Sequence, residues 1–109
     1  MINYDGRRFR ARGHGPDGAI TTYRQDGDLL WAELSGSGVR RGSLAGRCAD
    51  DGSLEFAYTM VLGDGRVVAG RCRSTPELLD DGRVVLHEEW ERFPPHAASG
   101  VEALEEVTA

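Results

Sequence analysis

Strict alternation of apolar and other residues marks the clearest element of the chain, the segment SLEFAYTMVL (53–62). Five large apolar residues fall on one face of an extended strand: Leu54, Phe56, Tyr58, Met60 and Leu62. The residues between them are mostly small or polar. A period of two is typical of a β-strand with one face on a core. The segment therefore predicts a half-buried strand with an unambiguous inner face.

The dipeptide Asp-Gly recurs along the chain and divides it into runs of strand length. It occurs at 5–6, 17–18, 26–27, 51–52, 64–65 and 81–82. Asp-Gly readily supplies the positive φ angles that tight hairpin turns require. The runs between these turns predict seven strands, at 7–13, 18–26, 28–36, 38–48, 53–62, 66–75 and 83–93. None of these runs has the period of a helix.

Two segments depart from this regular pattern. Pro76 cannot donate to a sheet, so RSTPELLDDG (73–82) predicts the end of a strand and a longer loop, with one turn of helix as an option. After the Pro94-Pro95 pair, the tail fits either a short helix or a strand at 100–107. We favour the strand, because an eighth strand that pairs with the first would remove the exposed edges of the sheet.

Short sequential strands joined by tight turns predict an antiparallel up-and-down meander. Seven to eight such strands close most economically into a barrel. A chain of 109 residues is long enough for one domain with one core. We therefore expect a single all-β barrel over residues 1–109, with 94–99 as a connection. A small barrel of this kind either fills its interior with side chains or holds one small ligand.

The span DGSLEFAYTMVLGDGRVVAGRCRSTPELLDDGRVVLHEEW (51–90) resembles a family of small bacterial proteins of about this length. The likeness extends back through YRQDGDLLWAELSGSGVRRGSLAG (23–46). The resemblance implies a calycin-like barrel of the lipocalin and avidin type. Members of that family are often labelled N-acetylglutamate synthases.

The residues give that label no support. Such acetyltransferases need an α/β fold and an Arg/Gln-x-x-Gly-x-Gly/Ala turn that holds coenzyme A, and RRGSLAG (40–46) does not match this pattern. The glycines of this stretch lie in a predicted strand. There they indicate tight curvature of the barrel or close packing.

Charge and composition narrow the range of partners. The chain has 18 acidic and 13 basic residues and a net charge of −5, which argues against a nucleic-acid partner. It has neither an apolar run of about 18 residues nor a secretory signal, so we expect a cytoplasmic protein with no membrane partner. Cys48 and Cys72 are expected to be free, packed thiols. No C-x-x-C or H-x-x-x-H spacing occurs, so we expect neither a metal nor a cofactor.

The segment GRVVLHEEWERF (82–93) carries the densest group of chemically active side chains. If Trp90 points inward with the apolar residues at the start of the strand, Glu88 points inward too. A shift by one residue would bring His87 and Glu89 inside instead. We favour the first register, because it places more apolar surface inside. A buried Glu88 must then be hydrogen-bonded or paired, or remain protonated.

Seven residues are predicted to line a ligand pocket: Trp31, Glu33, Tyr58, Met60, Arg71, Glu88 and Trp90. Glu33 shares a face with Trp31, so Glu33 and Glu88 would form a carboxylate pair suited to acid-base chemistry if both lie inside. The strand 28–36 is ambiguous, because both of its faces carry apolar residues. The competing interpretation is that the large residues simply fill the core and that Glu88 makes a structural hydrogen bond.

The function that we favour is non-covalent binding of a small apolar or amphipathic molecule in the lumen. One alternative is an acid-base enzyme of the cyclase or isomerase type with Glu88 or Tyr58 as the acid, which rests on analogy of fold. The other is a homodimeric interaction module built on the strand 28–36. The sequence leaves open whether the protein is an enzyme.

Overall fold

The computed structural model describes residues 2–12 and 18–108. Within these residues the chain forms nine β-strands: β1 (Arg8–Ala11), β2 (Ile20–Thr22), β3 (Arg24–Asp26), β4 (Leu29–Gly36), β5 (Val39–Cys48), β6 (Leu54–Leu62), β7 (Val67–Leu78), β8 (Val84–Arg92) and β9 (Ala98–Glu106). All neighbouring strands are antiparallel. The described residues include no helix, and therefore none that could cross a membrane. The predicted all-β antiparallel fold is confirmed.

The predicted Asp-Gly turns are present wherever the structure describes both residues. In each of them the glycine has a positive φ, which ranges from 61° at Gly27 to 88° at Gly52. This backbone conformation is easily reached only by glycine. Asp17 of the turn predicted at 17–18 lies outside the described residues, as does Gly13 at the end of the first predicted strand.

The sheet closes on itself through the segment 20–26. The strand order is β2-β1-β9-β8-β7-β6-β5-β4-β3, so β2 and β3 lie at its two ends. Only Tyr23 separates these two strands along the chain. The first half of the segment pairs with β1, and the second half pairs with β4. With β2 and β3 taken as one split strand, the sheet is a nearly closed up-and-down barrel with eight strand positions.

The tail forms a strand rather than a helix. β9 begins at Ala98, two residues before the predicted segment 100–107. It pairs with β8 through Ala98–Glu105 and with β1 through Leu104–Glu106. The tail thus occupies the position between the first and the last full strands that barrel closure requires.

β7 is longer than the sequence predicted, because it continues through Pro76 to Leu78. The predicted strand end and helical turn at this proline are wrong. Leu79 N donates to Arg83 O in the turn between β7 and β8, so the odd-numbered residues of β7 direct their backbone N–H groups toward β8. The backbone nitrogens of the even-numbered residues therefore point to the other side. Pairing with β6 on that other side stops at Ser74. The nitrogen of Pro76 therefore lies at an edge, where a missing N–H breaks no ladder.

Aromatic side chains fill the end of the barrel at which β6 and β8 begin. Tyr4 is fully buried there, and its hydroxyl donates to Gly52 O at 2.6 Å. Its ring centroid lies 6.2 Å from that of Phe9 and 6.3 Å from that of Tyr23. Leu54 and other apolar residues from the starts of the strands complete this core. The interior is consequently packed solid at one end.

Glycines lie opposite four large side chains on the inner face of the barrel. The cross-strand pairs are Gly42 with Met60, Gly46 with Phe56, Gly70 with Tyr58 and Gly100 with Trp90. A Cβ at Gly46 would overlap the carbonyl oxygen of Glu55, and a Cβ at Gly100 would lie 2.8 Å from the Trp90 ring. These contacts support the interpretation that glycines in the strands permit close packing.

Candidate ligand-binding cavity

A cavity of about 440 Å³ lies inside the barrel, toward the ends of β4, β6 and β8. Its apolar wall is formed by Leu34, Leu44, Phe56, Met60, Trp90 and Leu104. Its polar groups come from Tyr23, Tyr58, Cys72, Glu88, Arg92 and Glu102. A concave, mainly apolar site with a few inward polar groups is typical of small-molecule binding.

β8 has the register that its apolar pattern favours. Glu88 is only 8% exposed, and both Glu88 and Trp90 line the cavity. His87 and Glu89 are exposed on the outer face, where His87 Nε2 lies 2.7 Å from Glu77 Oε1. Val84 and Leu86 are fully buried in the core and would move to the outer face if the register slipped by one residue.

Tyr58 and Met60 of β6 also line the cavity, as predicted from the alternation of this strand. The Tyr58 hydroxyl donates to Glu91 O at 3.5 Å. Burial raises the pKa of Tyr58, and the neighbouring Arg92 guanidinium opposes that rise. Tyr58 therefore offers the lumen a neutral hydroxyl at physiological pH.

Three predicted lining residues, Trp31, Glu33 and Arg71, lie outside the barrel, which corrects the prediction. β4 turns Leu30, Ala32 and Leu34 inward, so Trp31 and Glu33 face outward. Both faces of β4 carry apolar residues, and alternation alone therefore did not identify the inner one. Trp31 is 39% exposed on the outer surface.

The charged members of this group form outer ion pairs. Arg41 Nη2 lies 3.3 Å from Glu33 Oε2, and Arg71 Nε lies 2.8 Å from Glu91 Oε1. The predicted carboxylate pair of Glu33 with Glu88 is therefore wrong, because the two side chains lie on opposite sides of the barrel wall.

Glu102 is the carboxylate that lies beside Glu88. The two residues are cross-strand partners on β9 and β8, and both line the cavity. Side chains directly opposite each other in an antiparallel pair lie on the same face. Sequence analysis missed Glu102 because its position depends on how β9 aligns with β8, which the sequence does not specify.

Glu88 is held by two donors on β7. Its Oε2 accepts a hydrogen bond from Ser74 Oγ at 2.9 Å and one from Cys72 Sγ at 3.2 Å. Burial raises the pKa of Glu88, these two hydrogen bonds lower it, and the charge of Glu102 raises it further, with a net rise. Within the described residues no hydrogen bond reaches Oε1, which leaves this oxygen for a ligand.

Cys72 is poorly suited to nucleophilic chemistry. Burial and the adjacent Glu88 raise the pKa of its thiol, so the thiolate is scarce near neutral pH. Cys48 is also a free, buried thiol whose pKa is raised by burial. In the described part of the chain, no group of three His, Cys, Asp or Glu side chains is placed to hold a metal ion.

Arg92 extends the row of inward residues on β8 to the end of that strand. It lines the cavity, and its guanidinium carbon lies 5.5 Å from the centroid of the Trp90 ring. The sequence indicated this placement, because Arg92 follows Glu88 and Trp90 at intervals of two and so shares their face of the strand. That signal was missed because an arginine at a strand end is usually on the surface.

Comparison with known proteins adds one finding. Residues 2–107 match the model of a family described as Avidin-like protein. A search of the curated proteins found no match.

Proposed function

Because the chain belongs to the avidin-like family, whose barrels typically hold small ligands, we propose that it binds a small amphipathic molecule non-covalently in its lumen. The resemblance noted in the sequence agrees with this membership at the level of a calycin-like barrel.

The observation that carries this proposal is the cavity of about 440 Å³ between inward side chains. If the large residues served only as core, they would fill the barrel, as the aromatic residues do at its other end. Pockets of several hundred Å³ suit drug-sized molecules. The apolar wall favours a ligand with an apolar body, and the inward polar groups favour one with polar ends.

We also place the protein in the cytoplasm. Cys48 and Cys72 are both free and buried, and free thiols are typical of a reducing compartment.

The two tryptophans provide a matched test of the binding site. Trp90 lines the cavity, whereas Trp31 lies outside the barrel. We expect the neutral fluorescent probe phenylnaphthylamine to bind one molecule per chain, because its rings fit an apolar lumen. Trp90→Ala should weaken this binding about tenfold or more, since an aromatic wall is lost. Trp31→Ala should leave the affinity unchanged.

Fluorescence titration of the probe measures both affinities, and circular dichroism checks that each variant is folded. Equal losses of affinity in the two variants would place the probe outside the lumen. Absence of binding to the unmodified protein would contradict the proposal directly.

A further inference from the structure

Arg92 is an arginine whose side chain turns into the cavity rather than toward the outer surface. Its position on β8 follows Glu88 and Trp90 at intervals of two, so all three share the inner face. The guanidinium lies over the Trp90 ring. In such a stack, one face of the guanidinium contacts the ring, and the N–H groups at its edge stay available to an acceptor.

The charge of Arg92 has no carboxylate partner in the residues that the structure describes. Its Nε is buried and has no hydrogen-bond acceptor. The contrast with Arg71 is informative, because that residue lies next to β8 on the outer face and pairs with Glu91 at 2.8 Å. The Tyr58 hydroxyl beside the guanidinium is neutral and leaves its charge unbalanced. Buried donors without an acceptor are rare in folded proteins, so an unpaired one beside a cavity favours an acceptor on a bound ligand.

From this geometry we infer that the lumen ligand carries an acidic group, of the carboxylate or sulfonate class. Arg92 binds this group inside the cavity, on the side of Trp90 nearer the end of β8. The inference rests on the proposed function and adds to it the chemical class of the ligand and its orientation. An acidic group is the acceptor that best matches a guanidinium, because two of its oxygens can accept hydrogen bonds from the planar pair of N–H groups.

The opposite end of the cavity excludes an acidic group. Glu88 lies four residues before Arg92 on the same face, a separation of about 13 Å along an extended strand. Glu102 lies beside Glu88, so two carboxyl groups face the lumen there. An anion placed next to them would be repelled, whereas a hydrogen-bond donor would meet the open Oε1 of Glu88. The acidic group of the bound ligand therefore lies at the Arg92 end of the cavity.

Two probes of nearly the same shape test this inference. Anilinonaphthalene sulfonate is the acidic counterpart of neutral phenylnaphthylamine. We expect the unmodified protein to bind the sulfonate about tenfold more tightly than the neutral probe at low salt. The advantage should shrink as salt is added, because an accessible ion pair is screened.

Arg92→Gln should abolish the preference for the sulfonate, so that the two probes bind with affinities within about twofold of each other. Circular dichroism checks that the variant is folded. Arg92→Lys should keep part of the preference, since the charge remains but the planar pair of N–H groups is lost. Arg71→Gln is the matched control on the outer face and should change neither affinity.

The outcomes separate this inference from the proposed function. If neither probe binds to the unmodified protein, both fail. If both probes bind equally, or if Arg92→Gln keeps the preference for the sulfonate, the acidic ligand is wrong while lumen binding stands. Loss of the preference in Arg92→Gln but not in Arg71→Gln supports the assignment.

Discussion

Glu88 shows how burial and hydrogen bonding compete at one side chain. Two donors, Ser74 and Cys72, lower the pKa of its carboxyl, but burial raises it by more. The folded protein therefore holds this proton to a higher pH than the unfolded chain, whose glutamate titrates near 4.5. Unfolding then releases a proton, so the contribution of Glu88 to stability falls as the pH rises from about 4.5 through the raised pKa.

Replacing Glu88 with glutamine should remove the loss of stability that ionisation of the buried carboxyl causes. The glutamine oxygen accepts from the same two donors, and the amide does not ionise. We expect Glu88→Gln to raise the melting temperature at pH 7.5 by several degrees, on the order of 1 kcal/mol. The difference should vanish near pH 4, where the carboxyl is protonated in both states.

Thermal melts of the two proteins across this pH range measure the effect, with Glu89→Gln on the outer face of β8 as control. A variant that becomes less stable than the parent as the pH rises from 4 to 7.5 would show that the carboxylate charge stabilises the barrel.

Strand elements differ in how much their sequences reveal. β8 carries three apolar residues on its inner face and Val85 alone on the other, so its register and the inward positions of Glu88 and Trp90 were predictable. β4 carries Trp31 and Leu34 on opposite faces, and the apolar pattern of its sequence does not distinguish the two faces. The direction of a side chain is also harder to predict at the end of a strand than in its middle. Arg92 is at a strand end, and whether its side chain turns inward depends on the space that neighbouring glycines leave.

The inner-face glycines of β5 set how closely this strand approaches β6. A Cβ at Gly46 would overlap Glu55 O and lie 2.5 Å from Phe56 Cα. We expect Gly46→Ala to lower the free energy of unfolding by about 2 kcal/mol or more, because the backbone must move. Urea denaturation measures this change.

Gly63 provides the control, because a Cβ there would meet only Gly38 O at 3.7 Å, an ordinary contact. Gly63→Ala should be neutral or slightly stabilising. If the two variants have the same stability, close approach of β5 and β6 does not explain the glycine.

At the scale of the whole molecule, the meander and its closure by the tail followed from the turns and strand lengths. The splitting of one strand at Tyr23 did not. Nothing in the local pattern of 18–26 shows that its two halves pair with different neighbours, since closure depends on the tilt and stagger of all the strands together. The aromatic core at the closed end was missed for a similar reason, because Tyr4 precedes the first strand and contacts it only in three dimensions.

The split strand has a consequence for how the barrel opens. β2 pairs with β1 through Ile20–Thr22, with two further backbone hydrogen bonds at Tyr23, and β3 pairs with β4 through Arg24–Asp26, whereas β6 pairs along its full length on one side. Short ladders open at a lower free energy than long ones. We therefore expect hydrogen exchange, followed by mass spectrometry, to be faster at the amides of 20–26 than at those of 54–62.

Equal protection of these two segments would show that the barrel opens as one cooperative unit. If they differ as expected, the seam at 20–26 is where solvent first reaches the buried Tyr23 ring, and local opening there precedes global unfolding.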